Sequence, residues 1–100
     1  MSGWPSRNVV CVGVVVVNDG RILLVRQAPG TSLAGQWSVP WGLVESGEFP
    51  DEAAVRETRE EAGVTARIEG LLGLQNLEWQ SAIGVVFWGT AVSGKPTPMV

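Results

Sequence analysis

The order of apolar and polar positions along this chain changes character several times. Residues Asn8–Val17 are rich in valine and nearly continuously apolar, which predicts a strand covered on both faces. Asn18-Asp19-Gly20-Arg21 follows, a turn in which Asp-Gly tolerates positive φ, and Ile22–Gln27 returns as the second strand of a hairpin. Ala28–Gln36 reads as loop from its Gly, Pro, Ser and Thr content. Trp37–Trp41 (WSVPW) reads as a short extended piece, with Pro40 keeping Val39 out of helical geometry, and Gly42–Phe49 as a second loop. Pro50-Asp51-Glu52 opens a helix, because proline and acids suit the free N–H groups and dipole of a first turn. That helix should reach Ala62 and end at Gly63 in a left-handed cap. The pattern then turns extended over Val64–Leu74, polar over Gln75–Ser81 and extended again over Ile83–Val92, while residues 1–7 and Ser93–Val100 read as terminal arms. The layout β-β-(β)-α-β-β predicts an α+β domain, a mixed sheet packed on a helix.

Charge sharpens that outline. The chain of 100 residues, one domain's worth, carries a net charge of -3, which argues against a grip on nucleic-acid polymers. Seven of its 10 acidic residues fall between Glu45 and Glu61: Glu45, Glu48, Asp51, Glu52, Glu57, Glu60 and Glu61. Such a cluster is either a solvated helix face or a cation site, and spacing has to decide. The absence of histidine excludes a Ser-His-Asp triad, a Cys-His pair and histidine-ligated zinc within the chain. Cys11 is the lone cysteine, so no intrachain disulfide forms; a reducing cytoplasm or a small buried thiol both fit. The apolar run Val9–Val17 is too short to span a bilayer, and no membrane association is expected.

At about 100° per residue, Glu57, Glu60 and Glu61 share one helix face, beside a stripe of Ala54, Thr58 and Ala62 small enough to press on a sheet, with Val55 at its margin. Three carboxylates next to a buried face raise one another's pKa unless a cation offsets the repulsion. A hard divalent ion bound through oxygen does so, and Mg²⁺ typically keeps several waters and accepts substrate phosphate oxygens.

The wider segment from Pro40 to Val64, "PWGLVESGEFPDEAAVRETREEAGV", resembles the Nudix box. Its constrained positions fall on Gly42, Glu48, Arg56, Glu57, Thr58, Arg59, Glu60, Glu61, Ala62, Gly63 and Val64, and every charged and glycine position matches. Two positions depart: Thr58 stands where the family has an aliphatic, and Trp41 where it often has another glycine. The resemblance implies a single α/β/α sandwich around a mixed sheet, spanning the chain and short at its C-terminal end. It implies hydrolysis of the diphosphate linkage in a nucleoside diphosphate joined to another group, with Mg²⁺ or Mn²⁺ as cofactor. Carried over by position, Glu57 and Glu61 are principal metal ligands, Glu60 is a further ligand or an anchor behind them, and the Gly42 carbonyl completes the set. Arg56 orients a carboxylate such as Glu48 or Glu60. The general base stays open between Glu57, a helix neighbour, Glu78 and a residue outside the chain. A box-bearing module that binds nucleotide or metal without turnover is the alternative from another class.

Other residues carry weaker expectations. Arg26 either meets a substrate phosphate or ends its strand in solvent. Trp37 and Trp41 flank Pro40 beside the box and are candidates to line the substrate site, whereas Trp88 lies in an apolar run and reads as core; Trp79 is a further stacking candidate. Ser32 and Ser81 have no histidine partner and read as loop residues. An open strand edge and an uncovered core face lead to the expectation of a homodimer.

Overall fold

A computed structural model describes residues 9–27, 29–30, 34–77 and 82–95. The expectations for the N-terminal arm, Ser32, Glu78, Trp79, Ser81 and the last five residues lie outside the described residues.

The valine run forms the central strand β1, Val9–Asn18. It pairs parallel with β7, Ala82–Ser93, which pairs antiparallel with β6, Thr65–Leu77. On its other edge β1 takes up two short antiparallel strands, β2 (Arg21–Ile22) and β5 (Trp41–Leu43). A separate two-stranded sheet joins β3 (Val25–Arg26) to β4 (Trp37–Ser38). With parallel and antiparallel pairs in one sheet and a helix packed on it, the domain is α+β with a mixed sheet. Among the described residues one helix is present, α1 (Pro50–Ala62). The layer on the sheet's opposite face, which an α/β/α sandwich requires, is not among them. No described helix is long and apolar enough to cross a membrane.

The β1–β2 turn has Asp19 at φ 51° and Gly20 at φ 73°, the two successive positive values of a type I′ turn, which matches the right-handed twist of its strands. The expected second strand Ile22–Gln27 then divides. Leu23 still donates its N–H to the Val16 carbonyl at 2.9 Å and packs on the core, but Leu24 is exposed and Val25–Arg26 leave β1 to pair with Trp37–Ser38. The expected extended piece Trp37–Trp41 divides likewise, its ends falling in two sheets around Pro40.

Alternate β1 residues Val12, Val14 and Val16 pack against Ala53 and Ala54 of α1, and all five are almost inaccessible to water. The small stripe on the helix lets its backbone come close to the sheet. Thr58 lies within it at 0% exposure, and its hydroxyl donates to the Ala54 carbonyl at 2.7 Å. The departure from an aliphatic residue is thereby absorbed, because the buried hydroxyl is bonded. The opposite face of β1 is less covered than its composition predicts. Cys11 packs there with Leu77, Ala82 and Trp41, but Val15 and Val17 are half-buried. Burial raises the Cys11 thiol above its ordinary pKa, as suits an unreactive packing residue. Trp88, expected in the core, is 39% exposed on this same open face.

Both ends of α1 follow local chemistry. Glu52 reaches back to accept the Phe49 N–H at 2.9 Å, which is half of a capping box; a phenylalanine cannot return the bond. At the other end Gly63 sits at φ 70° and donates to the Arg59 carbonyl at 2.9 Å. A Gly63→Ala substitution forces a Cβ into the left-handed region and should destabilise by about 1 kcal/mol. In a domain of this size that lowers the melting temperature by roughly 4–8 °C, readable by thermal circular dichroism.

Candidate active site

The acidic centre is built where α1, β5 and the end of β3 meet. Successive residues of β5 point to opposite faces of the sheet. Gly42, paired with Val12, faces the helix, and a Cβ there would overlap the Glu57 carboxylate. Glycine is therefore required at this position by the close approach of a functional side chain to the backbone.

Glu57 and Glu61 lie together on the helix. Glu61 is pushed up to about 8, first by burial and then by the hydrogen bond and negative charge of Glu57. Two donors oppose that rise, the Trp41 N–H at 3.3 Å and the Gln27 side-chain amide. A carboxyl pair in this state holds a proton where a cation can sit, because two unscreened charges cannot share a half-buried space.

Glu60 takes a different direction. From Glu57, Glu61 lies about 40° round the helix on one side and Glu60 about 60° on the other. Glu60 consequently points outward, with its side chain 58% exposed, and Arg56 reaches it at 3.2 Å. The spacing thus brings two of the three carboxylates into the pair, while the third joins only through Arg56.

Arg56 organises the rest. Its Nε and one terminal nitrogen donate to the two Glu48 oxygens at 2.7 and 3.0 Å, and that terminal nitrogen also donates to the Leu43 carbonyl at 3.0 Å. Its other terminal nitrogen donates to Glu57 at 2.8 Å and stands 3.5 Å from Glu45. One guanidinium therefore links the loop before the helix to the residue that faces Gly42. The fork geometry makes this possible, which a lysine ammonium lacks. The Arg56 hydrogen bonds, helped by the Glu45 N–H at 3.0 Å, hold the Glu48 carboxyl down at about 2, and the Glu48 hydrogen bond, followed by Glu57, raises Arg56 above its already high value.

The chemistry of this set fits a hard divalent cation through the Glu57–Glu61 pair and the oxygen-rich backbone beside it. Among the described residues no group of three acidic side chains is already gathered closely enough to cage an ion. An ion that keeps part of its water shell, as Mg²⁺ does, suits a two-carboxylate site of this kind.

Other expected residues fall nearby or elsewhere. Arg26 and Trp37 are cross-strand partners on the β3–β4 hairpin, and Trp37 is 63% exposed. Arg26 donates to the Gly35 carbonyl at 3.3 Å, so it also holds the connecting loop. Trp41, expected to line the substrate site, instead sends its ring to the sheet face opposite the helix, onto Gly13 and Gly84, while its N–H serves Glu61. Glu69, to which the sequence assigns no role, is engaged on β6 by Thr90 and Arg67, each at 2.9 Å, which lowers its pKa. Gln27 carries no mark in the sequence, yet its amide touches Glu61 and donates to the Ser38 hydroxyl at 2.6 Å. Its position at a strand end next to Arg26 was the sole available signal.

A carboxylate pair thus lies against a glycine backbone, braced by one arginine, on a mixed-sheet domain. The family model for the NUDIX domain matches residues 7–98. The chain belongs to the NUDIX family. It is 34% identical over 83 residues to a MutT-like protein from Streptomyces ambofaciens, covering 83% of this chain and 51% of the relative. An ADP-ribose pyrophosphatase from Methanocaldococcus jannaschii is 37% identical over 65 residues, 65% of this chain and 38% of that protein. The crystal structure of a NUDIX hydrolase from Nitrosomonas europaea superimposes with a TM-score of 0.84 at 27% identity, covering 95% of this chain and 54% of the other. The chain thus spans about half the length, or less, of these two curated relatives.

Proposed function

We propose that this chain is a metal-dependent NUDIX pyrophosphohydrolase, cleaving the diphosphate linkage of a nucleoside diphosphate joined to another group. The observation that carries the reading is the Glu57–Glu61 pair, pressed on Gly42 and holding Glu61 near pKa 8. Family membership and the activity named for the Methanocaldococcus jannaschii relative support it. Glu57 and Glu61 would hold Mg²⁺ or Mn²⁺, with the Gly42 carbonyl beside them and Glu60 at the solvent edge. A bound ion supplies charge neutralisation on the diphosphate and acidifies water. Arg56 fixes the rotamer of Glu57 and ties it to Glu48, so that the helix presents its carboxylate without rearrangement. Arg26 and Trp37, side by side on the exposed hairpin, are the groups of this chain placed to meet a phosphate and a base.

The alternative is a module that binds nucleotide or metal without turnover. One experiment separates the two. Phosphate release from ADP-ribose, nucleoside triphosphates and nucleotide sugars is measured with Mg²⁺ or Mn²⁺ and again with EDTA. Turnover that EDTA abolishes is expected. A melting temperature that rises with Mn²⁺ alone, without product from any substrate, selects the binding module.

A further inference from the structure

Trp41 stands where a glycine is common in the box, and its two halves serve opposite faces of the sheet. The backbone N–H donates to Glu61 at 3.3 Å on the helix side. The indole crosses β1 on the other side, where a Cβ on Gly13 would overlap its six-membered ring and a Cβ on Gly84 would stand 2.8 Å from the ring's far tip. Gly13 is the cross-strand partner of Trp41, and Gly84 lies on β7 beside Cys11. Two strands thus leave out side chains where this one ring lies, and Cys11, Leu77 and Ala82 pack around it. The next residue along β5 is Gly42, whose missing Cβ leaves the space taken by the Glu57 carboxylate.

We infer that Trp41 is a positioning residue for the metal site: its ring, keyed across Gly13 and Gly84, fixes the Trp41–Gly42 peptide beside Glu61 and Glu57. The inference rests on the reading of that carboxylate pair as the cation site. β5 is three residues long and pairs with β1 at three positions, with one further backbone bond at each end, from the Val14 N–H to the Pro40 carbonyl and from the Val44 N–H to the Val10 carbonyl. Those bonds set its register on β1 but hold it along one edge only. The indole gives the strand a broad apolar hold on two neighbouring strands, and the pleat transfers that hold to the peptide on the far face.

The test is Mn²⁺ affinity of the full chain without substrate, read from the free-ion electron paramagnetic resonance signal. Trp41→Ala, which removes the ring, and Gly84→Ala, whose Cβ displaces its far tip, should each weaken Mn²⁺ binding about 10–100-fold, the usual effect of losing a group that orients a ligand. Trp41→Phe keeps an aromatic ring over Gly13 and should stay within about threefold of wild type. Val16→Ala, a cavity in the core against α1, should lower the melting temperature yet leave the affinity unchanged. If Trp41→Ala does not fold, Gly84→Ala carries the decision. Wild-type affinity in the ring-displaced variants overturns the inference while leaving the metal site standing, and so does an equal loss in Val16→Ala. Failure of the wild-type chain itself to bind Mn²⁺ overturns the metal reading and this inference with it.

Discussion

Glu57→Gln is expected to lower turnover of a diphosphate substrate by at least about 10²-fold while the far-ultraviolet circular dichroism stays native. The substitution keeps the shape of the side chain and its contact with Gly42, and it removes one negative charge from the site. If Glu57 were a structural carboxylate, its loss would weaken the fold, because Arg56 would lose a charged partner held at 2.8 Å. The position of Glu61 predicts an opposing effect. Its pKa in the metal-free fold is raised above the unfolded value, so the fold gains from this group below about pH 4.5 and loses that gain as pH rises toward about 8. The adjacent charge of Glu57 is part of the cause, so Glu57→Gln should flatten the decline. Melting temperatures in EDTA across pH 5–9, a range set on the order of the titration, give the check. The wild-type curve should fall more steeply with pH than that of the variant. An inactive enzyme whose metal-free form holds up better at alkaline pH is the signature of a charge kept for binding a cation. Turnover near the wild-type rate would remove Glu57 from the centre of the mechanism.

How legible each feature is in the sequence follows from how local it is. The helix limits at Pro50 and Ala62, the left-handed Gly63 and the Asp19-Gly20 turn depend on backbone preferences of neighbouring residues, and each is found where its chemistry points. The role of Arg56 was open between Glu48 and Glu60; the fold gives it both, and Glu57 as well. Features that depend on where separate segments meet were not legible. Glu60 shares the helix face of its neighbours by angle, yet only the position of the sheet decides that Glu61 turns inward and Glu60 outward. Gln27 becomes part of the site because the second strand leaves β1 after Leu23, and nothing in Ile22–Gln27 marks that break. The faces taken by Trp41 and Trp88 have a related cause. An apolar or aromatic residue on a strand indicates a face, but which face the helix covers is a property of the assembled sheet.

Replacing Arg56 should have the broadest consequence of any single change at the site. In Arg56→Ala, Glu48, Glu57 and Glu60 all lose the same cation, and the Leu43 carbonyl loses its donor. Activity is expected to fall at least about 10–100-fold if Glu57 is the metal ligand proposed above, since the group that orients its carboxylate is gone. Stability should change with pH in the sense opposite to that of Glu61. The Glu48 carboxyl is held at about 2, below its ordinary range, so its contribution is fully present above about pH 4.5 and is lost as pH falls through about 2. Arg56→Ala should therefore melt well below wild type at neutral pH, and the gap should narrow as the solution is taken from about pH 4.5 toward about pH 2. Arg56→Lys separates charge from geometry. A lysine ammonium can pair with one carboxylate at a time and cannot span Glu48, Glu57 and the Leu43 carbonyl together. It should recover part of the neutral-pH stability and little of the activity. Full recovery of turnover by lysine would mean that the positive charge alone suffices, and that the guanidinium fork does not place Glu57.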